Sequence, residues 1–160
     1  MIMAVSVWYG FSGLFSPSNM EEYLEPDAAS EFYDSKGELI YTTLSEERRI
    51  PININYIPDH TQKAFISIED NHFYEHMGVD FRGTTRAVVS TLSGREVQGG
   101  STITQQLAKN AFLTQERTIT RKVKEAFIAR ELEKRYTKDE ILEMYLNLIY
   151  FGHGAYGVES

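Results

Sequence analysis

A mainly α-helical domain with a short N-terminal β-hairpin is the fold class that the sequence predicts, on three observations. From Pro58 onward, apolar residues recur at steps of three and four, as on one face of a helix. Capping signals such as Thr137–Glu140 mark helix starts. Before Pro58, apolar and polar residues alternate on both sides of Asp34–Gly37, a pattern typical of a hairpin. The 160 residues are enough to bury one ordinary core.

Composition limits the function classes before any motif is considered. The hydrophobic fraction of 42% and the charged fraction of 24% are typical of a folded protein. A formal net charge of −7 argues against general nucleic-acid binding, so any anionic substrate needs a local basic cluster. The absence of cysteine excludes a disulfide framework and a thiolate metal site.

The first 56 residues are predicted to be an anchor followed by a connection. Residues 1–20 carry no charged side chain and are mostly apolar or small, which indicates the trailing part of a signal-anchor helix. A cleaved signal or a terminal arm is the alternative. Residues 21–56 are predicted to contain an acidic linker, the hairpin and the extended segment IPININYIP. The body of the protein is therefore expected outside the cytoplasm.

Residues 57–160 are predicted to be the main domain, with five helices. The first is expected to begin with a capping box at Asp59 and Gln62 and to continue through Glu69–Gly78. The others are expected over 81–93, after Ser101 as N-cap, from Thr118 or Thr120, and from the capping box Thr137–Glu140. Because no terminating signal precedes Ser160, more of the domain is expected to follow.

Apolar residues at helical spacing predict which face of each helix packs inward. In chain order these residues are Ala64, Phe65, Ile68 and His72; Ala87, Val88 and Leu92; Ile103, Leu107 and Ala111; Val123, Ala126, Phe127 and Arg130; and Ile141, Leu142, Tyr145 and Leu148. They are the predicted core.

The stretch Glu69–Gly78, EDNHFYEHMG, is the first candidate for catalytic chemistry. It places two adjacent carboxylates, two histidines and two aromatic residues together, whereas surface acids usually alternate with Lys or Arg. Glu69 lies at the flank of the apolar stripe, where it is expected to be neither buried nor fully exposed. A carboxylate in such surroundings is suited to proton transfer.

Two further groups of residues offer chemistry. The helix after the Gly-Gly loop carries Thr102, Gln106 and Lys109 on one face, which favours a ligand surface because a solvated face usually carries Glu and Lys. Its N-terminus offers free backbone N–H groups to an anion. Arg121 and Glu125 lie four positions apart and face each other, which by itself indicates only a surface ion pair.

Four segments, taken in order, resemble the peptidoglycan glycosyltransferases of glycosyltransferase family 51. This family includes the transglycosylase domains of class A penicillin-binding proteins and the monofunctional transglycosylases. The segments are EDNHFYEHMGVD, QGGSTITQQLAKN, RKVKEAF, and KDEILEMYLN running into YFGHGAYG. The resemblance covers roughly residues 57–160, and the second segment is the most specific.

The resemblance implies polymerisation of lipid II, the undecaprenyl-pyrophosphate-linked disaccharide-pentapeptide, by an inverting β-1,4 transfer. Glu69 would be the general base that takes the proton from the 4-hydroxyl of the acceptor GlcNAc, with Asp70 supporting the acceptor site. Lys109 and Arg121 would stabilise the leaving undecaprenyl pyrophosphate. Glu125 would be the second essential carboxylate, which positions the donor or stabilises positive charge on its sugar.

The resemblance also implies roles for residues around these groups. Thr102, Gln106 and Asn110 would line the donor cleft. Phe73 and His76 would hold the first helix in place. Mg²⁺ or Mn²⁺ is expected to assist, with no ligands assigned, and no organic cofactor is expected.

The fold implied by the resemblance is mainly helical and lysozyme-like, with a hydrophobic lobe that meets the membrane. The expected location is the bacterial cytoplasmic membrane, with the catalytic domain on the extracytoplasmic face. The expected partners are lipid II, the growing glycan strand, the membrane, and other cell-wall synthesis and division proteins.

Three rival interpretations come from the same residues. His72 to His76 match the H-x-x-E-H pattern of inverted zinc proteases, with Glu75 as base, if both histidines lie on one helix. A lysozyme-like hydrolase would use two carboxylates to cleave a glycan, but would not need Lys109 and Arg121. A membrane-tethered interaction module would leave Glu69 and Glu125 as solvated charges.

Overall fold

The computed structural model describes Leu24 and residues 31–42, 48–81, 83, 85, 100–114 and 118–160. The anchor predicted over residues 1–20 and most of the acidic linker lie outside the described residues. So does nearly all of the helix predicted over 81–93. In the part of the chain that is described, no helix has the length and apolar character needed to cross a membrane.

The described residues form a mainly helical domain with two small sheets, which confirms the predicted fold class. Its α-helices are α1 (Asp59–Glu69), α2 (Ile103–Phe112), α3 (Ile119–Arg135) and α4 (Lys138–Leu148). Its strands are β1 (Glu31–Tyr33), β2 (Leu39–Thr42), β3 (Arg48–Arg49), β4 (Tyr150–Gly152) and β5 (Ala155–Tyr156), and a 3₁₀-helix spans Ile54–Tyr56.

The predicted N-terminal hairpin is confirmed. Strands β1 and β2 pair antiparallel. The Asp34 carboxylate closes the turn by accepting hydrogen bonds from the backbone N–H groups of Lys36 and Glu38, each at 2.8 Å. Gly37 follows with a φ of +82°, where a side chain would be strained. Local turn chemistry therefore specifies this element.

The aromatic stretch after α4, predicted as a turn, is a second hairpin. Strands β4 and β5 pair antiparallel, and β3 pairs with β5 in parallel, giving the order β3-β5-β4. Arg48 lies opposite Ala155 in this register. The partner strand comes from more than a hundred positions earlier in the chain, so local patterns could not predict it.

The segment before α1, predicted to be extended, crosses α4 and is extended only up to Asn53. The side-chain amide of Asn147 accepts from the Ile52 N–H and donates to the Ile52 carbonyl, both at 2.9 Å. The Ile54 N–H donates to the Glu143 carboxylate at 2.8 Å. The extended conformation ends at Asn53, whose side chain caps the 3₁₀-helix by accepting from the Asn55 N–H at 3.1 Å.

The core lies where α2 packs between α3 and α4. The predicted inward faces of α2 and α4 are confirmed at Ile103, Leu107, Ile141, Leu142 and Tyr145, all at most 1% exposed. The four helix positions Ala108, Ile128, Leu132 and Leu146 are also buried.

The predicted inward face of α3 is wrong at two of its four positions, while Ala126 and Phe127 are half-buried. Val123 is 47% exposed and Arg130 is exposed, whereas Glu125 is buried together with Ile128. Burying a carboxylate is costly unless it is paired. Because cations on α3 neutralise Glu125, the helix can turn this face inward, and apolar spacing alone did not predict that rotation.

Two predicted helix caps are also corrected. The N-cap of α1 is Pro58, without a side-chain hydrogen bond, so the capping box at Asp59 is wrong. The Gln62 amide instead donates to the carbonyls of the preceding 3₁₀-helix segment. The N-cap of α2 is Thr102 with a full capping box, not Ser101. The capping box predicted at Thr137 is confirmed, and of the two starts predicted for α3, Thr118 is the N-cap.

Helix α1 ends at Glu69, so the prediction of a helix running on to Gly78 is wrong. Asp70 leaves the helical region with φ −159° and ψ 73°. Its carboxylate accepts from the Ile103 N–H at 3.0 Å, which ties the end of α1 to the start of α2. The following residues form turns, with the Phe73 N–H donating to the Asp70 carbonyl at 2.9 Å.

Gly78 is the position where the turn after α1 meets α3. Its φ is +88°, and a Cβ atom would lie 2.8 Å from the Ala129 carbonyl oxygen. Gly78→Ala is expected to lower the free energy of unfolding by at least ~2 kcal/mol, because left-handed strain adds to a clash with backbone. Urea unfolding of both proteins measures the difference.

The matched control is Gly37→Ala. Gly37 has a similar φ of +82° but no atom within 4 Å of the Cβ position. Only the conformational cost, ~1–2 kcal/mol, is expected there. Equal losses in the two variants would contradict the role given to the close approach of Gly78 to α3.

Candidate active site

The site is built around Glu69, the last residue of α1. Its side chain is half-buried, as expected. The apolar stripe predicted beside it on α1 is wrong at Ala64, which is exposed, and at Ile68, which is 74% exposed. Gln106, from the middle of α2, donates from Nε2 to Glu69 Oε2 at 2.8 Å. Among the described residues this is the one hydrogen bond to the Glu69 carboxylate.

Tyr145 stands behind this pair, on α4. Its hydroxyl donates to Gln106 Oε1 at 3.4 Å, a long hydrogen bond. Burial and, second, the charge of Glu69 raise the pKa of Tyr145 above its usual range, so the hydroxyl keeps its proton. The sequence predicted Tyr145 only as a core residue. Helical spacing carries no signal for its hydroxyl, which meets a side chain 39 positions away.

Asp70 serves the fold in this structure. Its residue is 7% exposed, and its carboxylate accepts from the Ile103 N–H and from His76 Nε2, the latter at 2.9 Å. The Gly78 N–H donates to His76 Nδ1 at 3.2 Å, which places the ring proton on Nε2, facing Asp70. The role predicted for Asp70 in the acceptor site stays a prediction.

Phe73 and His76 are packing residues of the turn after α1. Phe73 is fully buried, and its ring meets that of His76 edge to face at 6.3 Å between centroids. Lys138 Nζ, at the start of α4, lies 4.5 Å from the Phe73 ring centroid, a cation–π contact. These contacts hold the turn, and with it Glu69, against α4.

Glu125 lies at the other end of the site and is paired with two cations. It is 1% exposed, so its interpretation as a member of a surface pair is wrong. Arg121 forms an ion pair with one carboxylate oxygen, and Lys122 Nζ donates to the other at 2.5 Å. Lys122 Nζ also donates to Ser101 Oγ at 2.7 Å, which joins α3 to the start of α2.

The cations near Glu125 form a basic cluster with Lys109. Burial, then the charges of Arg121 and Lys109, lower the pKa of Lys122. The charges of Arg121 and Lys109 therefore reach Lys122, while Glu125 pairs with Arg121 and Lys122. Such a cluster favours the binding of a multivalent anion.

Helix α2 connects the two parts of the site. Ser101, just before the helix, meets Lys122, and Gln106 within it meets Glu69. Five positions separate these two residues, so the start of one helix joins the two contacts. The candidate base and the basic cluster therefore flank the first turns of one helix.

Thr102 and Asn110 were predicted to line the donor cleft. Thr102 is 2% exposed, and its hydroxyl donates to the Gly78 carbonyl at 2.7 Å and accepts from the Gln105 N–H. It is therefore not on the open face predicted for it with Gln106, because it is the N-cap. Asn110 is exposed near the end of α2. The binding roles of both residues stay predictions.

The described residues do not support a zinc site. His72 and His76 lie in turns, not on one helix, and His76 is bonded to Asp70. No group of three or more His, Cys, Asp or Glu side chains among the described residues comes together as a metal site. The ligands of the expected Mg²⁺ or Mn²⁺ thus stay unassigned.

Comparison with known proteins gives consistent similarities. A family model described as transglycosylase matches residues 36–160. Penicillin-binding protein 1A of Aquifex aeolicus is 49% identical over 151 residues, which are 94% of this chain and 20% of that protein. Penicillin-binding protein 1A of Escherichia coli is 55% identical over 129 residues, 80% and 15% of the two chains.

A shorter relative covers the helical part. The monofunctional glycosyltransferase of Staphylococcus aureus is 55% identical over 109 residues, which are 68% of this chain and 40% of that protein. The chain thus spans between 15% and 40% of the length of these three relatives.

Proposed function

Because this chain belongs to the transglycosylase family, we propose that it is a peptidoglycan glycosyltransferase that polymerises lipid II into β-1,4-linked glycan strands. The reaction inverts the anomeric centre and releases undecaprenyl pyrophosphate. The observation that carries the proposal is the arrangement of a half-buried Glu69, held by Gln106, beside a basic cluster fixed by a buried Glu125.

Glu69 is the general base of the proposed reaction. The oxygen not bonded to Gln106 takes the proton of the acceptor GlcNAc 4-hydroxyl, and that hydroxyl oxygen forms a bond to the anomeric carbon of the donor MurNAc. The bond from this carbon to the pyrophosphate oxygen breaks, and its electron pair leaves with undecaprenyl pyrophosphate. Holding one carboxylate oxygen limits the orientations of the other, which is what general base catalysis requires.

The basic cluster stabilises the leaving group. Negative charge builds up on the pyrophosphate as the bond breaks, and Lys109, Arg121 and Lys122 supply fixed positive charge for it. Both oxygens of Glu125 are engaged by cations and the residue is 1% exposed. These contacts support a role in which Glu125 positions the cations, in preference to direct contact with the sugar.

The expected Mg²⁺ or Mn²⁺ would add further positive charge at the pyrophosphate. The described residues do not bring together a set of side chains that fits such an ion, so no step is assigned to it. The proposed partners are lipid II, the growing strand, the cytoplasmic membrane with the catalytic domain on its outer side, and other cell-wall synthesis and division proteins.

A hydrolase of lysozyme type fits the site less well. Cleavage of a neutral glycan does not produce a pyrophosphate, so it gives no use to Lys109, Arg121 and Lys122 placed together. The same cluster also argues against a purely structural module, because Glu125 supplies a single negative charge for Arg121 and Lys122, which leaves positive charge over for an anion.

The proposal is tested by incubating the purified chain in detergent with labelled lipid II and separating the products by gel electrophoresis. Since the chain spans only part of its relatives, the same assay is run on a chimera in which residues 57–160 replace the matching segment of the S. aureus monofunctional glycosyltransferase. Polymer is expected from the chimera. A folded chimera that makes no polymer, or that shortens cell-wall glycan, would overturn the proposal.

A further inference from the structure

Tyr145 carries a buried hydroxyl group that the proposed mechanism does not yet use. The residue is 1% exposed, and a phenol in this position must find a hydrogen-bond partner. Among the described residues that partner is Gln106 Oε1. The ring itself is fixed by Phe65, which meets it edge to face at 6.4 Å and lies one turn before Glu69 on α1.

The Gln106 amide has a donor end and an acceptor end, and the two face different groups. Its NH₂ faces Glu69, and its carbonyl oxygen faces the Tyr145 hydroxyl. If the amide rotated by half a turn, its oxygen would face the Glu69 carboxylate, and two acceptors would repel each other. A proton donor on the carbonyl side therefore selects the orientation that holds the carboxylate.

We propose that Tyr145 is a positioning residue for the transfer reaction, acting through Gln106 to hold the Glu69 carboxylate towards the acceptor hydroxyl. This inference rests on the proposed function, because it presumes that Glu69 is the base. Tyr145, on the buried face of α4, would then take part in catalysis although it is neither charged nor exposed.

The first test is Tyr145→Phe, assayed for polymerisation of lipid II in the chimera. Loss of one neutral hydrogen bond is expected to lower kcat by about 5–10-fold and to leave KM nearly unchanged. Tyr74→Phe is the matched control, since the Tyr74 hydroxyl donates to Asp139 at 3.1 Å on the surface. That variant is expected to keep wild-type kcat. A rise in KM without a fall in kcat for Tyr145→Phe would overturn the proposal.

A double-mutant cycle separates positioning from packing. Gln106→Leu removes both ends of the amide. It is expected to lower kcat by about 10–100-fold, because the hydrogen bond to the charged Glu69 carboxylate is lost. In that background Tyr145→Phe should cost less than ~2-fold, because its path to Glu69 is already broken. A packing role would give the same loss in both backgrounds, and that additivity would overturn the inference.

A third measurement does not depend on activity. In ¹⁵N-labelled protein the side-chain NH₂ signals of Gln106 are identified by their absence from the spectrum of Gln106→Leu. The hydrogens of this group are expected to exchange with solvent several-fold faster in Tyr145→Phe than in wild type. Unchanged exchange would overturn the inference. If the wild-type chimera makes no polymer, the proposed function fails, and this readout still decides whether Tyr145 orders the amide.

A folding control and a second variant cover the case in which Tyr145→Phe does not fold. Circular dichroism establishes the folding of each protein. If Tyr145→Phe is unfolded, Gln106→Met takes its place, since it keeps Tyr145 and removes both amide contacts. Full kcat in Gln106→Met would overturn the proposal, because every step of the inferred path passes through Gln106.

Discussion

Glu69→Gln is expected to lower the rate of glycan polymerisation by about 10²–10⁴-fold, the usual contribution of a general base. Glutamine has the shape of glutamate but cannot accept the proton of the acceptor hydroxyl. Its side-chain oxygen can still accept from Gln106, which lies 2.8 Å from the carboxylate, so the fold should be retained. The measurement is gel analysis of labelled lipid II products together with thermal unfolding.

Glu75→Gln is the matched control for this substitution. Glu75 is an exposed carboxylate in the same segment, six positions from Glu69, and removing it changes the net charge by the same amount. It is expected to retain wild-type activity. If Glu69→Gln retained most of the wild-type rate, the assignment of Glu69 as the base would be wrong, although the proposed function would stand.

Replacing both Arg121 and Lys122 by methionine is expected to lower the free energy of unfolding by about 3–5 kcal/mol, because it leaves a buried carboxylate without a partner. Glu125 is 1% exposed and its two oxygens contact these two cations. Methionine preserves much of the side-chain volume, so the loss is one of charge. Urea unfolding gives the stability, and polymerisation should fall as well because the leaving group loses its cations.

Lys134→Met is the control on the same helix. Lys134 pairs with Glu131 at the surface, with the two side chains 46% and 24% exposed. Such a pair is worth only ~0–1 kcal/mol. If the double variant were no less stable than Lys134→Met, Glu125 would not depend on its cations for burial. The position of α3 would then need another explanation.

Glu125→Gln makes the opposite test of the same cluster. Removing the carboxylate leaves Arg121 and Lys122, whose side chains are 13% and 49% exposed and so remain partly hydrated. A smaller loss of stability is therefore expected than in the double variant, together with a loss of activity as the cations lose their fixed position. This contrast would separate the structural role of Glu125 from its role in the site.

The prediction that failed most clearly is the one that extended α1 to Gly78. Aromatic residues continue past Glu69 at Phe73 and Tyr74, and no Gly or Pro lies between Glu69 and Gly78, so the local sequence does not mark the end of the helix. The end is set by the Asp70 carboxylate, which accepts from the Ile103 N–H, 33 positions later. Because this contact ends α1 at Glu69, it also places Glu69 at the edge of the site.

What the sequence by itself determined is everything that depends on neighbours a few positions away. The hairpin turn at Asp34–Gly37, the caps of α3 and α4, and the membership of Glu69, Lys109 and Glu125 in one family pattern could all be predicted. Local hydrogen bonds and motif spacing require only the order of residues along the chain.

The tertiary structure alone decided which of these residues act on one another. The contacts of Glu69 with Gln106 and of Gln106 with Tyr145 join residues 37 and 39 positions apart. The inward rotation of α3 likewise depends on how α2 packs against it and on the neutralisation of Glu125 by two cations. The physical reason is that burial and side-chain pairing depend on how whole helices pack, which no local pattern encodes.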